Sequence, residues 1–160
     1  LLLISSVLVV SSDALRLHII SINTWVLRLG KVLLRSDEQY CLTGASYLLL
    51  GTLAAFVFFE QNIAVLAVFF LALGDPAAAV VGQRLGKNWF YGKSPFGTMA
   101  MVAVSLAVIA TLHGVGVIEF KWIFVAGALI AALVELLPLP VNDNLTIPVS
   151  AGVLMVFLGG

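Results

Sequence analysis

The chain has 160 residues, of which 62% are hydrophobic and 10% charged, and a mean hydropathy of +1.16, well beyond the roughly half-apolar composition of soluble domains. Its eight basic and eight acidic side chains cancel, leaving neither the basic excess of a nucleic-acid binder nor the acidic excess of a disordered tail. The one cysteine, Cys41, excludes disulfides, zinc knuckles and CxxC redox chemistry within the chain and reads as a packing residue.

A membrane crossing takes about 20 mostly apolar residues, and runs at 1–17, 42–59, 63–82, 98–118, 122–137 and 145–158 approach or reach that length. Continuous apolar runs without period-two alternation favour helices over a barrel, because a backbone in lipid must satisfy its own hydrogen bonds. The expected fold is all-α, a polytopic transmembrane bundle of about six spans making a single integral membrane domain over 1–160. The first run lacks a basic leader and a small-residue cleavage site, so it reads as a truncated span rather than a signal peptide, with room for one more helix upstream.

The connections set the orientation. The one at 18–41 carries Arg28, Lys31 and Arg35, and the one at 84–97 carries Arg84, Lys87 and Lys93. The turn at 60–62 has no base, and the turn near Glu119 has only Lys121. Lysine and arginine near span ends stay on the cytoplasmic side, so the basic connections are expected there, and parity brings the 138–144 connection with Asp143 to the same face. A bacterial or archaeal plasma membrane is the expected setting. Trp25, Trp89, Phe90 and Tyr91 suit the interfacial belt of that face. Ser36-Asp37-Glu38-Gln39 reads as a capping box ahead of the second span. Pro138 and Pro140 stop the fifth span, and Asn144 is expected to cap the last helix with Pro148 in its first turn.

Asp75 lies inside the third span, nine residues before Arg84, which puts roughly 13 Å of helix between it and the basic interface. Ionisable residues at such depth usually face a bundle interior or wet cavity, which makes Asp75 a candidate site residue, the alternative being a structural helix–helix hydrogen bond. Pro76 removes an N–H and frees the carbonyl of Ala72, so a bend is expected at Gly74-Asp75-Pro76. Ala78, Ala79, Gly82 and Gly86 continue from Asp75 as a small-residue stripe. Glu135, near the end of the fifth span, and Asp143 point at the same mouth, although Asn142-Asp143-Asn144 also makes an ordinary turn and cap.

The stretch from Gly82 through Lys87 to Gly92-Lys93-Ser94 imitates a P-loop, but a Walker A motif needs a glycine where Lys87 stands. What remains is the physics. Gly92 and Ser94 can bring backbone N–H groups to an anion, and Arg84, Lys87 and Lys93 supply positive charge, Lys87 serving equally well as a headgroup anchor. Acids and bases gathered at one face suit a divalent cation holding phosphates. His18 and His113 fall on opposite faces and suggest neither a metal pair nor a triad.

In order, Leu73-Gly74-Asp75-Pro76, Gly82-Gln83-Arg84-Leu85-Gly86-Lys87, Gly92-Lys93-Ser94, Glu135 through Pro140 and Asp143-Asn144, with Arg35, Glu38, Thr43 and Gly44, resemble the CTP-dependent membrane lipid kinases. That family comprises phytol, dolichol and diacylglycerol kinases and is distantly related to phosphatidate cytidylyltransferase. The resemblance implies transfer of the terminal phosphate of CTP, or another nucleoside triphosphate, to a lipid alcohol, with Mg2+. It implies Asp75 as metal or catalytic carboxylate, Arg84 and Lys93 as phosphate holders, and Glu135, Asp143 and Asn144 as the rest of the nucleotide and metal site, with Asp75 and Asp143 on the metal. Relatives commonly carry an acid soon after the Gly-Lys-Ser/Thr step, where this chain has Phe96. The alternatives are nucleotidyl transfer of the cytidylyltransferase kind and a non-enzymatic transporter or ion-binding bundle.

Overall fold

The computed structural model describes residues 1–19, 23, 41–85 and 92–159. Helix α1 is Leu2–His18, α2 is Gly44–Phe58 and α3 is Gln61–Phe69; a π-helical turn, Phe70–Gly74, leads directly into α4, Asp75–Leu85. Then come α5, Pro95–Gly114, α6, Trp122–Leu136, and α7, Asp143–Phe157. No strand occurs among the described residues. The all-helical expectation is met. The rod formed by α3, the π turn and α4 spans Gln61–Leu85, 25 residues, and α5 has 20; both are long and apolar enough to cross a membrane. Helices α2, α6 and α7 are apolar but 15 residues each, about 22 Å against a hydrocarbon thickness of about 30 Å.

Short turns make sequence neighbours pack side by side. The broadest contacts run α6 on α7, α4 on α5, α2 on α7 and α5 on α6, with α1 against α2. The centre is α3 and the π turn. Ile63, Leu66 and Phe70 there are at most 1% exposed, as are Met101, Phe124, Ile147 and Met155 from α5, α6 and α7. Small residues set how closely the helices approach. A Cβ on Gly97 of α5 would lie 2.7 Å from the Ala78 carbonyl oxygen of α4. On α2, a Cβ at Gly51 would lie 2.3 Å from the Asn144 carbonyl oxygen.

One local expectation is refined and two are corrected. The irregularity expected at Gly74-Asp75-Pro76 takes the form of a π turn at Phe70–Gly74, with α-helix from Asp75 onward. The missing N–H of Pro76 is absorbed in the wider turn before it, which keeps the rod continuous. The last helix is capped by Asn142, not Asn144: the Asn142 side chain accepts from Asn144 N at 3.0 Å. Pro148 is consequently inside α7 rather than in its first turn. Its ring leaves the Asn144 carbonyl without an intrahelical donor from that position, and Gly51 of α2 packs against this gap.

Residues 20–22, 24–40, 86–91 and 160 lie outside the described set. The capping box at Ser36, the bases Arg28, Lys31, Arg35 and Lys87, and Glu38, Gly86, Trp25, Trp89, Phe90 and Tyr91 all fall there.

Candidate active site

Five helices and the loop before α7 border a cavity of about 890 Å³. Its wall takes Gly44, Ala45 and Tyr47 from α2, Asp75, Ala78, Ala79 and Gly82 from α4, Gly92, Lys93 and Ser94 at the start of α5, and Glu135 from α6. The loop and first turn of α7 complete it with Asn142, Asp143 and Asn144.

Each polar group is placed by a local rule. Asp75 is the half-buried first residue of α4, at the exit of the π turn, a feature that recurs at functional sites. Gly92 has φ +86°, a left-handed backbone that L side chains adopt at a cost. This turn delivers Lys93 into the cavity and leaves Ser94 to cap α5, its hydroxyl accepting from Gly97 N at 3.1 Å, with Pro95 in the first turn. Lys93 reaches across the mouth. Its Nζ donates to Asp143 Oδ2 at 2.8 Å and to the backbone carbonyl of Glu135, and lies 3.5 Å from Glu135 Oε1. One ammonium therefore ties the beginnings of α5 and α7 to the end of α6. Glu135 is 7% exposed and its Oε2 lies 3.5 Å from the Thr98 hydroxyl. Asp75 and Asp143 are both within electrostatic reach of Glu135. Asn144 donates from Nδ2 to the Gly44 carbonyl at 2.9 Å, joining α7 to α2.

The structure thus brings Asp75, Gly92, Lys93, Ser94, Glu135, Asp143 and Asn144 to one cavity. Arg84 is different. It stands exposed on the last turn of α4 and is not part of the cavity wall, although its neighbour Gln83 is. Lys87 lies outside the described residues. Phe96, the departure noted from the family pattern, is 53% exposed and lines no part of the cavity.

Among the described residues, no group of three or more His, Cys, Asp and Glu side chains converges on a point that could hold a metal by itself. Asp75 and Asp143 are hard oxygen donors in one cavity. That fits Mg2+, which takes one or two carboxylates and fills its other positions with phosphate and water oxygens.

Sequence reasoning missed a second polar cluster behind the cavity. Asp13 and Arg16 on α1 are 6% and 3% exposed and form an ion pair, Arg16 Nη2 to Asp13 Oδ1 at 2.8 Å. The signal was available, since an acid and a base three residues apart stand in the otherwise apolar run at 1–17, where charges are costly and rarely incidental.

Fold and cavity together define a helical bundle of membrane character with an acid-and-lysine pocket at one end. The comparisons agree with that class. The chain is 29% identical over 182 residues to CTP-dependent diacylglycerol kinase 1 of Eremothecium gossypii, an alignment covering 96% of this chain and 56% of the relative. It is 26% identical to CTP-dependent diacylglycerol kinase 1 of Saccharomyces cerevisiae over 89% of this chain and 58% of that protein. Probable phytol kinase 3, chloroplastic, of Glycine max is 32% identical over 62% of this chain and 36% of its own length. These likenesses support the CTP-dependent lipid kinase family. The chain spans just over half the length of the two diacylglycerol kinases. No family model matches, and no solved structure matches. The relatives include fungal and plant proteins and one from the bacterium Rickettsia prowazekii, 28% identical over 86% of this chain, and they do not establish a bacterial or archaeal plasma membrane.

Proposed function

We propose that the protein is an integral membrane lipid kinase that transfers the terminal phosphate of CTP to a lipid hydroxyl, with the cavity opening on the cytoplasmic face of a bundle of about six spans. The observation that carries this reading is Lys93 held at the cavity mouth between Glu135 and Asp143, opposite Asp75 on α4. Phosphoryl transfer requires positioning and charge stabilisation more than covalent chemistry from the protein. This cavity offers both. Lys93 exchanges its carboxylate partners for phosphate oxygens when the triphosphate enters. The first turns of α5 and α7 point their N-termini at the same space, where backbone N–H groups and the helix dipole favour an anion. Asn144 and Ser94 add polar contacts at those two ends, and Gly92 allows close backbone approach. Asp75 and Asp143 would hold Mg2+, which when bound neutralises charge on the transferred phosphate. Asp75 faces the incoming hydroxyl, and Glu135, the more buried acid, keeps Lys93 oriented. Arg84 steers the triphosphate from the rim. The acceptor arrives laterally from lipid, and diacylglycerol and phytol, named in the relatives, lead a panel that also includes dolichol.

The test is to incubate purified protein with labelled CTP, Mg2+ and that panel. Labelled phospholipid and released CDP are expected. Pyrophosphate in place of CDP would mean attack on the α-phosphate, as in a cytidylyltransferase; no lipid product with any donor would sink the kinase. Asp75→Asn should abolish product while leaving the fold intact.

A further inference from the structure

The Asp13–Arg16 pair does more than pack α1 on α2. An ion pair removed from water is a net cost unless the remaining hydrogen-bonding positions are also satisfied, and in an apolar helix the burden is greater. Here those positions are filled by the segment that enters α2, together with Asn23. Asp13 Oδ2 accepts from the backbone N of Thr43 and from the Ser46 hydroxyl, the latter at 2.9 Å, and Ser46 is fully buried. Arg16 donates from Nε to Asp13 Oδ1 at 2.9 Å, from Nη2 to the Cys41 carbonyl at 3.0 Å, and from Nη1 to Asn23 Oδ1 at 3.1 Å. Cys41 and Gly44 both line the cavity, and the Gly44 carbonyl receives the Asn144 amide at 2.9 Å. Buried charge on α1 is thus hydrogen-bonded to Cys41, Thr43 and Ser46, and the backbone between them carries Gly44, which receives the Asn144 amide at the cavity edge.

We propose that Asp13 and Arg16 are positioning residues, a buried clamp that fixes the 41–45 edge of the cavity and, through Gly44, aims the Asn144 side chain at the nucleotide. The claim about the nucleotide rests on the kinase reading above; the claim about the edge does not. The clamp sits behind the wall and touches no substrate. Loosening it raises the KM for the nucleotide and leaves the KM for the lipid acceptor unchanged.

Two measurements separate the possibilities. The first uses Cys41, the chain's one cysteine and exposed, carrying a nitroxide label whose spin-resonance line shape reports mobility of the edge. Arg16→Met should sharpen the spectrum, and Arg16→Lys should restore part of the order. The second is steady-state kinetics on unlabelled protein, where Arg16→Met and Asp13→Asn should raise the KM for CTP by about tenfold or more, the scale expected when a positioning contact is lost. Ser46→Ala removes a single limb of the clamp and should shift both readouts the same way by less; if Arg16→Met does not fold, Ser46→Ala and Arg16→Lys decide. A lowered unfolding temperature with unchanged label mobility and unchanged KM for CTP would overturn the proposal, as would equal rises in the KM for CTP and for lipid. If the wild type phosphorylates no lipid with any donor, the kinase reading fails, while the label spectra still decide whether the clamp holds the edge.

Discussion

Replacing Gly97 by alanine tests how tightly the cavity depends on one helix crossing. The added Cβ would stand 2.7 Å from the Ala78 carbonyl oxygen, where ordinary contact begins at 3.4 Å. Backbone is the obstacle, so no side chain can swing away, and α5 must retreat from α4 by about 0.7 Å. Overpacking of this kind costs about 1–3 kcal/mol. The consequence for the site is larger than for the fold, because Lys93 and Ser94 sit within four residues of Gly97 at the start of the same helix. A shift of about 0.7 Å would lengthen the 2.8 Å contact of Lys93 Nζ with Asp143 on α7 by at most that amount, toward the limit of a hydrogen bond. Misplacement on this scale can cost up to about a hundredfold in rate. Gly114 closes the same helix with nothing within 4 Å of its would-be Cβ, so Gly114→Ala is an internal control expected to change stability by no more than about 1 kcal/mol. Thermal unfolding in detergent and lipid phosphorylation by both variants provide the assay. If Gly97→Ala matches Gly114→Ala in both, the α4–α5 crossing does not set the site and the reasoning is wrong.

Other substitutions probe different links. Lys93→Met should lower kcat by about a hundredfold or more, the usual scale for losing a charge-stabilising donor, whereas Arg84→Ala, on the exposed rim, should change the KM for CTP only a few-fold; the reverse ranking would contradict the proposed division of labour. Ser105 is fully buried and its hydroxyl has no hydrogen-bond partner among the described residues, so Ser105→Ala is expected to leave stability unchanged or raise it by about 1 kcal/mol, as denaturation midpoints would show. Gly127→Ala meets Met155 Sδ at 2.6 Å, but a flexible thioether can move where the Ala78 carbonyl cannot; its unfolding temperature should fall less than that of Gly97→Ala. Chelation of Mg2+ by EDTA should stop phosphorylation, with recovery on adding Mg2+ back; undiminished turnover in EDTA would remove the metal from the scheme.

The positions of the helices were legible because apolar runs and the proline and acid-base breaks between them are one-dimensional signals. The cavity was legible for a related reason. Asp75, Glu135, Asp143 and Lys93 are rare charges in an apolar chain, and parity alone sends their helix ends to one side. What escaped was phase. Pro76 announces a disturbed helix but not whether the chain will kink there or widen upstream, since that is settled by the packing of Gly74 against Met101 and Ser105. Capping was displaced for a similar reason: Asn142 and Asn144 are equivalent by composition, and the contact of Asn144 with Gly44 on α2 leaves Asn142 as the cap. Arg84 illustrates a further limit. Arg84 and Lys93 look interchangeable as bases of one connection, yet Lys93, which follows the left-handed turn at Gly92, lines the cavity and Arg84 does not. Asp13 and Arg16 show themselves locally only as an acid and a base three residues apart in an apolar run; what they hold, at Cys41, Thr43 and Ser46, lies 25 to 33 residues away and has no local pattern.

The π turn at Phe70–Gly74 acts as a frameshift written into a helix. Widening one turn accommodates one residue more than an α-helix would, so everything after it is rotated by about 100° relative to an uninterrupted rod. Upstream, that angle lets Ile63, Leu66 and Phe70 point into the core; downstream, it lets Asp75 and Ala78 point into the cavity. A single-residue deletion within the turn would give a more regular helix that could satisfy only one of these two demands.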